Sequence, residues 1–380
     1  MVAVKGRKSS NKNPPILSHE FVIQNHADIV SCVAMVFVVG LMVQITSPWA
    51  YIFIALHHNV SEPQDPSLPW QPPKFSTGWK DACAVFFYFL ITIVMHAVIQ
   101  EYVLDKISRR LHLSKIKLSK FNESSQLTAF FVLSALWGID IIIRDDLLAN
   151  VPLLWESYPG SMSFALKLFF IGQIAYWLHC YPELYFQRVK KEEMSGRIAH
   201  ATTGLVFTLA AYLLNFQHVG VILMVLHYIS EAMLHSARII HFVNQKEQPT
   251  KVAFMLANCV FVVVRIATIL LSALVLVYGL GQLDESFSYA TGNYNIPAVR
   301  YSLLGAIVVF QAYLLYVFGK YQLRRSRESS APVISKIKPK QQRPKKKDAK
   351  KGTLSEDDDL PEVDQATKKN LRSRSSAKAK

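Results

Sequence analysis

Residues 219–240 read VGVILMVLHYISEAMLHSARII. The run has the length of one membrane crossing, because a hydrocarbon layer of ~30 Å takes about 20 helical residues. It also holds the ionisable groups His227, Glu231 and His235, with Arg238 close to its end. Such groups cost roughly a few kcal/mol each at membrane depth. Spacings of four put all three on one helical face. That face requires a partner other than lipid, so the segment belongs inside a bundle.

Seven further runs share this character: Ile29–Thr46, Asp81–Gln100, Leu127–Ile143, Phe164–Tyr181, Ile198–Leu214, Val252–Tyr278 and Ala298–Phe318. The predicted fold class is therefore all-α, a polytopic helical membrane bundle of about eight transmembrane helices. Only Asn215-Phe216-Gln217-His218 separates the fifth run from the sixth, which predicts a tight helical hairpin.

Composition agrees. Hydrophobic residues make up 51% of the 380 and charged residues 18%, yet the formal net charge is +15. The charge is segregated. From Tyr321 to Lys380 there are 18 Lys and Arg against 8 Asp and Glu, which is +10 of the total. Behind an apolar body, a basic tail points to an anionic membrane surface, where each Lys or Arg contributes about 1 kcal/mol. Ribosome or RNA contact would add to this. The tail is too poor in apolar residues to fold alone. Ser355, just before Glu356-Asp357-Asp358-Asp359, has the pattern of an acid-directed phosphorylation site.

Orientation follows from the loops. Lys5, Arg7, Lys8 and Lys12 precede the first run. Lys106, Arg109, Arg110, Lys115, Lys117 and Lys120 follow the second. Arg188, Lys190, Lys191 and Arg197 follow the fourth, and Lys246 and Lys251 follow the sixth. The alternate loops are poor in both residues. Eight spans then place both termini in the cytosol. The first run lacks a small-residue cleavage site and reads as a signal anchor. The Pro-rich loop after it, with Trp70 and Trp79, is lumenal and carries the sequon Asn59-Val60-Ser61, an expected glycosylation site. A second sequon, Asn122-Glu123-Ser124, lies on the cytosolic side and is expected to stay unmodified.

Cys32, Cys83, Cys180 and Cys259 form no CxxC and imply neither a disulfide framework nor a zinc ribbon. They read as small buried hydrophobes, and no cofactor is expected. Among other intramembrane polar residues, His96, Asp140, Lys167 and His179 lie near predicted helix ends, where Lys167 and His179 can snorkel. Arg265 sits mid-segment and needs a partner, of which Glu231 is the obvious one. The constellation His227, Glu231, His235 and Arg265 reads as a polar seam hydrogen-bonding a neighbouring helix. Metal binding or acid–base chemistry, with His200 as a fourth group, is the competing reading. No second set of ligands supports a metal.

Several stretches are familiar: GRKSSNKNPPILSHEFVIQNHAD (6–28), HAVIQEYVLDKISRR (96–110), SKFNESSQL (119–127), QIAYWLHCYPELYF (173–186) and ATGNYN (290–295). The chain closely resembles the translocating chain-associating membrane protein family almost end to end, and residues from about Lys117 to Arg327 resemble the TLC domain. The resemblance implies a non-enzymatic protein of the endoplasmic reticulum membrane. Its partners would be the Sec translocon, nascent signal sequences and transmembrane segments, and membrane lipids. The implied organisation is a cytosolic segment 1–28, two helices with a lumenal loop 29–116, a six-helix TLC domain 117–327 and a disordered basic tail 328–380. The TLC likeness also supplies a rival, a lipid acyltransferase like the ceramide synthases, using His200, His227 and Glu231. The family's paired histidine is Ala199-His200 here, and its later His-Asp position is His227-Tyr228, which argues against acyl transfer.

Overall fold

The computed structural model describes residues 15, 18–61, 70–244 and 247–330. Ser355, the tail from residue 331, the basic residues before Pro15 and Pro63, Pro66 and Pro69 lie outside them. The chain divides into two compact units, residues 1–321 and 322–380.

Eight helices of 18 residues or more run through the described residues, and each holds one of the apolar runs. They are α1 (His19–Met42), α3 (Asp81–Val98), α5 (Lys115–Arg144), α6 (Phe164–Phe186), α7 (Lys191–Leu213), α8 (Gln217–Val243), α9 (Glu247–Ala273) and α10 (Pro297–Ser330). Two short helices, α2 (Ser47–Ile54) and α4 (Asp105–Leu111), complete the set. Six of the long helices, with their π-helical extensions, are long and apolar enough to cross a membrane. The other two, α6 and α7, fall outside that set; α6 buries its polar residues Lys167, Gln173 and His179, while α7 exposes His200, Thr202 and Thr203. Apolar side chains such as Val36, Leu133, Val206, Leu270 and Val309 are exposed on the outside. Polar side chains including Arg265, Lys167, Gln173 and Gln311 are buried. That inversion is what lipid selects, since only internal partners can satisfy polar groups there.

The first run ends sooner than expected. Its helix stops at Met42, and the Thr46 hydroxyl donates to the Gly40 carbonyl at 2.8 Å to close a turn. Pro48 in the first turn of α2 is preset for helix, and α2 packs back on α1 and α3. Two short antiparallel pairings tie the loops: β1 (Lys74–Phe75) with β2 (Met162–Ser163), and β3 (Ser286–Ser288) with β4 (Asn293–Asn295).

At the centre lies α8, packed on α5 and α9. Residues 219–225 are buried without interruption, as expected of a helix enclosed on all sides. Close approach to α5 depends on Gly138, where a Cβ would overlap the Val225 side chain. The expected hairpin forms between α7 and α8, with Asn215 at φ 60°. Asn215 Nδ2 donates to the Gly292 carbonyl at 2.7 Å. Beside it Tyr158 stacks on Phe216, donates to the Leu214 carbonyl at 3.1 Å and accepts from the Tyr294 amide at 2.9 Å. Burial pushes the Tyr158 phenol up to about 12, so the hydroxyl stays protonated as a donor.

Two expectations are corrected here. Lys167 does not snorkel. It is fully buried and its Nζ lies 2.8 Å from Asp81 Oδ1. His179 is likewise buried, facing α3. The cysteines are not all buried either: Cys32 and Cys259 are exposed, and Cys83 and Cys180 half-buried.

Candidate functional site: a buried arginine centre

Arg265 sits mid-way along α9 and is 1% exposed. Its guanidinium is the hub of contacts from three helices. Both terminal nitrogens lie 3.3 Å from His227 Nδ1 on α8. Nη2 reaches the Ser230 hydroxyl at 3.4 Å and the Glu231 carboxylate at 3.6 Å. Nη1 donates to Gln311 Oε1 on α10 at 3.1 Å. The guanidinium plane lies over the Phe261 ring, 4.7 Å from its centroid, and a desolvated cation is attracted to such a face. Arginine only donates, so His227 Nδ1 must accept and the ring's proton sits on Nε2. The i,i+4 spacing brings His227 within 4.0 Å of Glu231.

The four residues of the seam thus separate into a cluster and an outlier. Arg265, His227 and Glu231 come together. His235, one turn further along α8, points instead to Phe131 on α5 and stacks on it at 5.8 Å. Phe131 is fully buried and occupies the space among the histidines. His200 and His227 approach it edge-on, with ring centroids 6.4 and 6.3 Å away. The three imidazoles therefore surround a phenyl ring rather than one another. His200 is exposed on α7, with its ring beside Trp177.

Beneath this centre a second relay crosses the core. Tyr228 donates to Gln173 Oε1 at 2.8 Å, and Gln173 Nε2 donates to the Ser134 hydroxyl at 3.0 Å. It links α8, α6 and α5. Asp140 pairs with Arg144 on the exposed face of α5.

Sequence reasoning passed over the second buried charge pair. Lys167 Nζ meets Asp81 and donates to the carbonyls of His57 and Ser76, both at 2.7 Å. The other oxygen of Asp81 accepts from the Tyr212 hydroxyl at 2.7 Å and the Gly78 amide at 2.9 Å. The available signal was a lone charge opening each of two apolar runs. It also missed that His96 and His179 converge with Glu183, an i,i+4 partner of His179.

Asn59 is exposed at the end of the segment after α2. Its Oδ1 accepts from the Ser61 amide at 2.8 Å, which closes an Asx turn across the sequon. Asn122 is half-buried in α5 and accepts from the Ser108 hydroxyl at 3.1 Å.

A buried helix seam of this kind, inside a bundle with an apolar exterior, defines a polytopic membrane protein. The TLC domain family model matches residues 120–320. Over 319 residues the chain is 41% identical to translocating chain-associated membrane protein 2 of Mus musculus, covering 83% of this chain and 85% of that one. The Homo sapiens protein of the same name is 40% identical over the same extent. The chain belongs to the translocating chain-associated membrane protein family, with a TLC domain at its core.

Proposed function

We propose that this protein assists nascent polypeptides entering or crossing the endoplasmic reticulum membrane, beside the Sec translocon, without enzymatic chemistry of its own. Both termini face the cytosol, as the basic loops require. The basic tail contacts anionic lipid or the ribosome. Signal sequences and transmembrane segments of moderate hydrophobicity are the clients.

The observation carrying this reading is the state of the polar centre. Arg265 is held by His227, Ser230, Glu231 and Gln311 together. With both terminal nitrogens engaged in this way and only the buried Nε left without a partner, the guanidinium is a fixed dipolar feature of the bundle rather than a reactive group. On the outer face, α7 exposes His200, Thr202 and Thr203 among apolar neighbours, a surface of solvent quality between water and lipid, which is what a marginally apolar segment needs when it moves sideways. Against acyl transfer, Phe131 fills the space where His200 and His227 would have to cooperate, and His227 Nδ1 is already engaged by Arg265.

Photocrosslinkers placed one position at a time along a signal sequence test this in a reconstituted translocation reaction. Crosslinks to this protein are expected from the apolar stretch of the signal. Their absence at every position, while translocation proceeds, counts against the proposal. Acyl transfer from acyl-CoA to a sphingoid base by the purified protein, lost in His200→Ala, would replace it with the enzymatic reading.

A further inference from the structure

The two helices α3 and α6 run parallel and touch through ionisable groups at both ends. At their starts the pair is Asp81 and Lys167. Fifteen residues further along α3, about 22 Å at the helical rise, His96 meets His179 and Glu183. This second contact has the chemistry of a metal site. His179 is 2% exposed. Its Nδ1 lies 2.6 Å from the Tyr176 carbonyl, and a carbonyl only accepts, so Nδ1 carries the proton and Nε2 presents a lone pair. That is how a metal-ligating histidine is held. Nε2 faces His96 Nδ1 at 3.4 Å. On its other edge His96 Nε2 is 3.1 Å from Glu183 Oε1. The second carboxylate oxygen of Glu183, Oε2, is buried with no hydrogen-bond partner. An acceptor left unmatched in a buried setting is unfavourable, and a bound cation would satisfy it.

One donor atom from each of the three residues lies within 4.8 Å of the other two. Tetrahedral zinc with bonds of about 2.0–2.1 Å places its ligands about 3.3 Å apart, so the widest pair must close by about 1.5 Å and His96, which turns Nδ1 to His179 and Nε2 to Glu183, must swing one nitrogen to the ion. Two imidazoles and a carboxylate make a three-ligand zinc site with a fourth position for water. His96 and Glu183 side chains are 16% and 12% exposed, which leaves an entry path. We propose that His96, His179 and Glu183 bind one divalent transition metal ion of the zinc class, which clamps the end of α3 to α6.

Full-length protein, purified in detergent on a tag without histidines and stripped with chelator, is titrated with Zn²⁺ and Co²⁺. About one ion per chain is expected, with a tetrahedral Co²⁺ absorption band and a melting temperature raised by Zn²⁺ and lowered again by chelator. His179→Ala and Glu183→Gln should each weaken binding at least about tenfold, while Cys259→Ser leaves it unchanged. Monodisperse wild-type protein that takes up no metal, with no Co²⁺ band and no melting shift, overturns the proposal. So does stoichiometric uptake unaffected in folded His179→Ala and Glu183→Gln. Should both variants misfold, the wild-type titration and its Co²⁺ spectrum decide.

Discussion

Asp81 on α3 and Lys167 on α6 form a 2.8 Å ion pair with both side chains shut away from the surface. The lysine's three donor positions meet Asp81 and two backbone carbonyls, and the aspartate also accepts from Tyr212 and Gly78. Removing one partner leaves the other buried and uncompensated, at a cost of roughly 3–5 kcal/mol. Lys167→Met and Asp81→Asn should each lower the melting temperature in detergent. The double variant should be less damaged than the sum of the two, because it leaves no unpaired charge. Additive losses would mean that the pair is not coupled.

Arg265 makes a comparable demand in the other half of the bundle. Arg265→Met strands Glu231 and the Gln311 amide oxygen, and a loss of about 3–5 kcal/mol is expected. Arg265→Lys should rescue only part of it, since one ammonium cannot span His227, Glu231 and Gln311 as the planar guanidinium does. Thermal unfolding of the three proteins side by side checks the order: wild type, then Lys, then Met.

Packing without charge gives a third expectation. Any side chain at Gly138 meets Val225, across the contact between α5 and α8. Gly138→Leu should destabilise by about 1–3 kcal/mol, and Val225→Ala in the same chain should recover part of that loss. Proteolysis in detergent reads both variants directly.

The eight runs were legible as helices, six of them because lipid imposes a length and a composition on each one separately, and α6 and α7 by their length and apolar content alone. The partnership of Arg265 with Glu231 was legible too, since a mid-helix charge has few ways to be satisfied. Which helices touch was not. The convergence of His96 with Glu183 and of Asp81 with Lys167 depends on α3 and α6 lying side by side, and periodicity within either helix carries no trace of that. For the same reason Lys167 read as a snorkelling residue: a lone lysine near a helix end looks identical whether it points outward to headgroups or inward to an aspartate. Phe131 passed unnoticed because a phenylalanine in an apolar run gives no sign that it separates three histidines.

Topology is tested by sugar. In the proposed orientation, with both termini cytosolic, Asn59 would be lumenal and its exposed Asx turn open to the transferase, so one glycan is expected there. Asn122 should carry none. Ser286→Asn creates a sequon with Ser288 in the strand preceding Asn293–Asn295 and should add a second glycan, seen as a further glycosidase-sensitive shift on a gel. Modification of Asn122 would invert the assigned orientation.

As proposed, this bundle eases the passage of segments too polar to enter lipid readily. Proteoliposomes containing the translocon, with and without this protein, can be given a graded series of signal sequences that differ only in hydrophobicity. Added protein should raise translocation most for the weakest signals and little for the strongest. Equal stimulation across the series, or none at any hydrophobicity with correctly folded protein, would contradict it.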